Sequence, residues 1–169
     1  MNEQSPTLFD TSKPPEPDPR PVLFLDQTFS SQKLAALLRA APEWRIELHG
    51  DHFDSDEKDH VWISVVAQPG WLILSCDKRI KKWQTEGGLA RRAAVESRAK
   101  IFFCGRGGRP LADYGYDVGH ARHQMLRLVK QNRGPLFARV MRGGKVQTFF
   151  LERPKTKRDR TRAKYGDVI

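Results

Sequence analysis

The sequence predicts an α/β domain in which a mostly parallel central sheet is flanked by helices and closed by a C-terminal β-hairpin. Three observations carry this prediction. Short continuous apolar runs, VLFL, WLIL and IFFC, recur along the chain, as suits strands covered on both faces. Helical patterns alternate with them, which is what crossovers between parallel strands require. Near the C-terminus, LFARVMR and KVQTFFL flank Gly143-Gly144, a hairpin signal.

Six of the eleven prolines fall at or before Pro21. Missing amides and fixed dihedrals bar such a segment from helix and sheet, so residues 1–20 read as an extended, mostly disordered lead. The domain spans 21–151. VLFLD is its first strand. Ser30 or Ser31 caps a helix whose Leu34, Leu37, Leu38 and Ala41 repeat at helical spacing, and Pro42 stops it. WRIEL, 44–48, is the second strand. After a polar loop, Ser55 or Asp56 starts a helix to about Val66, ended by Pro69-Gly70. Strand three is WLILS, 71–75. A helical turn from Asp77 to Trp83 and a short helix, LARRAAVESRA, lead to strand four, 101–104. GRGGRP then precedes a long helix with Val118, Ala121, Met125, Leu128 and Val129 on one face.

Composition bounds the function. Hydrophobic residues at 38% supply one core in a chain of 169, the size of a single domain. No apolar run approaches the roughly 20 residues of a membrane span, and the N-terminus lacks a signal-peptide pattern. The expected location is therefore cytoplasmic. Two cysteines, Cys76 and Cys104, are too few for a disulfide framework or a cysteine-rich zinc module. Lys and Arg exceed Asp and Glu by 30 to 20, a field that attracts nucleic acid. Residues 152–164 hold seven of these cations against two acids, so 152–169 reads as a basic tail.

Acids gather where strands end. Asp26 closes the first strand and Asp77 stands two residues past the third. With strand order 2-1-3-4 these strands are neighbours, and the crevice between them is the switch point where such sheets bind ligands. Asp59 shares the inward stripe of its helix with Trp62, Ile63 and Val66; a shift of helix phase would substitute Asp56 or Glu57. Three carboxylates without His or Cys suit a hard cation, Mg²⁺ or Mn²⁺. Lys78, Arg79 and Lys82 stand ready to hold phosphates beside it. Acids, metal and a basic rim point to phosphodiester hydrolysis.

FLDQTFS, DHFDSDEKDHVW, GWLILSCDKRIKK and GPLFARVMRGG, in this order over roughly 22–150, resemble the PIN-like domain family related to VapC-type toxins. The likeness lies in an apolar strand ending in Asp, a D-x-x-W helix start and a strand leading to D-K-R-I. It implies a three-layer PIN-like fold and a metal-dependent endoribonuclease, the toxin of a type II toxin-antitoxin pair restrained by a cognate antitoxin, with homodimers frequent among members. Its acidic positions fall on Asp26, Asp59 and Asp77. Gln27 departs from the pattern, since an acid often follows the first Asp, and the nearest candidates for a fourth acid are Asp113 and Asp117. These departures keep open an alternative, a catalytically inactive PIN-like module that binds RNA or a protein.

Other features carry less. His49 and His52, and His120 and His123, lack thiolates to complete a zinc tetrahedron. Cys76 and Cys104 read as small buried hydrophobes rather than nucleophiles. A haloacid-dehalogenase-type phosphotransferase needs a second acid two residues after the first, where Thr28 stands.

Overall fold

In the computed structural model, residues 18–29, 31–40, 43–77, 80, 86–105 and 109–149 are described. In chain order the elements are β1 (Val22–Leu25), α1 (Gln32–Arg39), β2 (Arg45–Leu48), α2 (Asp59–Ala67), β3 (Leu72–Ser75), α3 (Glu86–Glu96), β4 (Lys100–Cys104), α4 (Leu111–Gln131), β5 (Leu136–Val140) and β6 (Val146–Thr148). The strands form one sheet in the order β2-β1-β3-β4-β5-β6. Among the described residues only the β5–β6 pair is antiparallel. The α/β class, the mostly parallel sheet and the terminal hairpin therefore match the sequence reading.

Alternation along each strand divides the core in two. Leu23, Leu25, Leu72, Leu74, Phe102 and Ala138 pack toward α1 and α4. Phe24, Ile73, Ile101, Phe103 and Phe137 pack toward α2 and α3, joined by Ile80. With a helical layer on each side, β1 is buried throughout, as is β3, which is why their sequences are unbroken apolar runs. At the sheet edge β2 alternates between half-buried and buried positions. Its charged Arg45 and Glu47 pair at 3.2 Å, a feature that discourages pairing with another chain.

Three local details depart from the sequence reading. Ser31 occupies the N-cap of α1 with extended dihedrals, but its side chain makes no capping bond; the backbone carbonyl accepts from Ala35 N at 2.9 Å. Helix α2 begins at Asp59 rather than at 55–56. The Ser55 carbonyl accepts a 3.0 Å bond from Gln27 Nε2, and Asp54 and Glu57 close a turn at 3.2 Å, so the segment before Lys58 is held outside the helix. Helix α3 stops at Glu96, and Arg98 follows with φ 58°, where a glycine is the usual choice. The expected lead over 1–20 and tail over 152–169 lie largely outside the described residues, as does most of the turn expected from Asp77 to Trp83.

The hairpin turn packs closely against α4. Met141 N donates to Lys145 O at 2.8 Å and Gly144 N to Met141 O at 3.1 Å, with Gly143 at φ 74° and Gly144 at φ 80°. A Cβ at Gly144 would overlap His120 and stand 2.9 Å from Ala121 N on α4. Gly144→Ala is therefore expected to cost about 3 kcal/mol, from overpacking and backbone strain together. Gly70→Ala, with φ 78° but open space around its Cβ, should cost only about 1–2 kcal/mol. Urea unfolding of both variants checks the difference.

Candidate active site at the carboxyl edge of the sheet

β1 and β3 run side by side in parallel, with Leu25 opposite Leu74, so Asp26 and Asp77 leave the sheet at the same edge. Both acids are buried, Asp26 at 3% exposure and Asp77 at 8%. The intervening groups are hydroxyls. Ser75, fully buried, accepts a 2.9 Å bond from Asp77 N and hydrogen-bonds the Asp26 carboxyl. The Ser75 hydroxyl thus stands between the Asp26 carboxyl and the backbone amide of Asp77.

Thr28 supplies a second tie. Its hydroxyl donates to Asp26 Oδ1 and accepts from Cys76 N at 3.3 Å, clamping the loop after β1 to the end of β3. Asp26 Oδ1 also accepts from Thr28 N at 2.9 Å and Phe29 N at 3.2 Å. This is the side-chain turn that an Asp followed by a hydroxyl residue two positions on tends to build. Burial outweighs these bonds: it pushes the Asp26 carboxyl up to about 6, while Ser75, Thr28 and Phe29 favour the ionised form.

Asp59 reaches the same edge by another route. As the first residue of α2, the helix that leads from β2 to β3, it stands near the carboxyl end of β2. There it is half-buried, and its Oδ1 accepts a 3.2 Å bond from Trp62 Nε1. Neighbouring His49 is buried against Phe24 and Trp62. Burial lowers its basicity, against the pull of the Asp59 and Glu57 charges. His52 is engaged with Glu47 at 3.0 Å. Among the described residues no group of three His, Cys, Asp or Glu side chains is arranged to hold a metal ion. Lys78, Arg79 and Lys82 lie outside the described residues.

Asp117, one of the two fourth-acid candidates, is fully used. Its Oδ2 accepts from Arg109 Nη1 at 2.8 Å and its Oδ1 from Gly143 N at 2.8 Å, so it binds α4 to the loop before it and to the hairpin turn. Asp113 is half-exposed and meets Arg109 Nε at 3.3 Å. Cys104 is buried, and its thiol is pushed up to about 12, first by burial and then by the Asp117 charge. A thiol so disposed is no nucleophile at neutral pH. Both cysteines are free and buried, as their sequence setting indicated.

A family model for the PIN-like domain matches residues 21–106, just over half of the chain. The chain belongs to the PIN-like domain family. No curated protein and no solved structure matches it. PIN-like domains are generally nucleases, and the matched segment contains Asp26, Asp59 and Asp77. No helix among the described residues is long and apolar enough to cross a membrane. Sequence reasoning missed the two hydroxyls of this PIN-like site. Thr28 was detectable as the second residue after a strand-end Asp, whereas Ser75 reads as the last residue of a buried strand until the register is known.

Asp26 gives the PIN-like domain a pH signature. Its folded pKa, about 6, lies above the unfolded value near 3.9, so ionisation is penalised in the folded state. The penalty is full above pH 6 and absent below about 4. In EDTA, Asp26→Asn is expected to be more stable than wild type at pH 8 by about 2–3 kcal/mol, with the difference vanishing by about pH 4. Chemical denaturation of both proteins across this range checks it.

Proposed function

We propose that this PIN-like domain is a metal-dependent endoribonuclease that hydrolyses RNA phosphodiester bonds, and that it serves as the toxin of a type II toxin-antitoxin pair in the cytoplasm. The observation that carries the nuclease reading is the pair of buried acids, Asp26 and Asp77, brought to one edge by the adjacent parallel strands β1 and β3 at the switch point. The excess of ten positive charges supports a polyanionic substrate, and the resemblance to VapC-type toxins supports a cognate antitoxin as partner.

The donor set fits a small hard cation. Mg²⁺ keeps several waters and needs only one or two protein carboxylates, which Asp26 and Asp77 provide; Mn²⁺ accepts the same ligands. A divalent cation bound there would neutralise phosphoryl charge and lower the pKa of the attacking water. The protein's own groups prepare the place. Thr28 and the amides of Thr28 and Phe29 occupy one oxygen of Asp26 and fix the carboxyl plane. Ser75 accepts from the Asp77 backbone amide and favours the ionised Asp26 carboxyl. Asp59, at the same edge, is assigned a supporting role toward the substrate or its water, and Lys78, Arg79 and Lys82 the positioning of phosphates.

One observation favours the rival, a non-cleaving module that binds RNA or a protein: Asp117 is committed to Arg109 and Gly143. A cleavage assay on labelled single-stranded RNA, with Mn²⁺ and with EDTA, separates the two readings. Wild type should cut only with Mn²⁺. Asp26→Asn and Asp77→Asn should each slow cutting at least about 100-fold, the equivalent of a few kcal/mol of charge stabilisation. Folded wild-type protein that binds RNA but never cuts it would establish the rival.

A further inference from the structure

The long helix α4 carries an exposed feature outside the acidic site. Tyr116 is 59% exposed, and its ring lies against that of His120 with centroids 3.9 Å apart and planes tilted by 34°. Both are fixed. His120 Nδ1 meets the Tyr116 carbonyl at 2.9 Å, and the His120 Cβ abuts Gly144 of the hairpin turn. The adjoining Asp117 is bonded to Gly143 N at 2.8 Å. The ring pair is thus held against the hairpin with an aromatic surface open to solvent.

The hairpin supplies charge. Residues 139–147 include Arg139, Arg142 and Lys145 and no acid, and all three are exposed. Arg142 and Lys145 line one cavity of about 520 Å³ together with Met141, Val146 and Gln147. The turn also lies at the acidic edge of the sheet. Ser75 is opposite Phe103, and Cys104 is opposite Val140, so β5 delivers Arg142 to the edge where β3 delivers Asp77. Two strand spacings, roughly 10 Å, separate the ends of β3 and β5. A strand of a few nucleotides covers that distance.

We propose that Tyr116 and His120, with Arg142 and Lys145, form a ledge for single-stranded RNA, on which one base stacks while the two cations hold adjacent phosphates. The proposal rests on the nuclease reading and gives that site the path of its substrate. Single-stranded RNA is the occupant that matches both halves of the ledge: a ring platform needs an unpaired base, and a cationic rim without acids needs a polyanion. With His120 anchored against the hairpin and its ring already against Tyr116, part of the ordering cost is met before a base arrives.

The test measures fluorescence anisotropy of an end-labelled single-stranded oligoribonucleotide with the full chain in EDTA, and Mn²⁺-dependent cutting of the same RNA separately. Tyr116→Ala should weaken binding about fivefold or more, whereas Tyr116→Phe, which keeps the ring, should stay within about twofold of wild type. Arg142→Ala combined with Lys145→Ala should reduce the slope of log affinity against log salt by about 1.4, or 0.7 per lost phosphate contact. Wild-type affinity in Tyr116→Ala, an unchanged salt slope in the double variant, or equal competition by a duplex of the same sequence overturns the ledge. Cutting by wild type alongside any of these results leaves the nuclease reading standing. Weakened binding in the ledge variants of a wild-type protein that does not cut supports the ledge and removes the nuclease reading.

Discussion

The constraint on which the structure depends is the enclosure of β1 and β3 between two helical layers. With both faces covered, no polar side chain can leave the middle of either strand without losing water, and β1 is accordingly Val-Leu-Phe-Leu with no interruption. Polar chemistry is displaced to the point where the chain exits the sheet. Because neighbouring strands are parallel, the exits coincide, and residues more than forty positions apart in sequence share one small volume. Asp26, Thr28, Ser75, Cys76 and Asp77 converge for this reason.

Enclosure also makes the convergence costly. A carboxyl at 3% exposure is disfavoured as an anion, and the three donors on its Oδ1 together with Ser75 only partly offset that burial. A carboxylate disfavoured by desolvation is one that a cation would relieve, and the same desolvation would strengthen the interactions made there. Strain of this kind is common where a fold gives up stability for function. Asp117 illustrates the opposite outcome. It is equally buried, yet its two oxygens are met by a guanidinium and an amide, and its charge is used to hold the hairpin in place.

What could be read from the sequence follows from the range of the interactions. Apolar runs report on a strand's own burial, so β1, β3 and β4 were legible, and with them the exits at Asp26 and Asp77. The hairpin was legible because two consecutive glycines are a local requirement of its turn. The start of α2 was not, because Ser55 is restrained by Gln27 from another element, and a good capping residue alone cannot reveal that its carbonyl is already engaged. The silent hydroxyl of Ser31 belongs to the same class: the cap position was correct, while the bond was supplied by backbone. Ser75 acquires its role only through register. The three acids could be assigned to one edge, but the indole bond that holds Asp59 depends on a side-chain rotamer that spacing does not specify.

Asp117 and Tyr116 show how the two ends of this edge are coupled. They are consecutive on α4 and about 100° apart around its axis, so one turns to the hairpin amide while the other remains in solvent. Arg109, just before α4, is bonded to Asp117 of that helix at 2.8 Å. Tyr114 adds to this by donating to the Gly105 carbonyl at 2.9 Å and meeting the Phe29 ring edge-on. Phe29 in turn donates its amide to Asp26. A continuous set of contacts therefore runs from the buried acid through Phe29, Tyr114 and α4 to the hairpin turn. The acidic crevice and the exposed ring pair are set at a fixed separation by these packed elements, which is the condition for a strand bound at one place to be presented in register at the other.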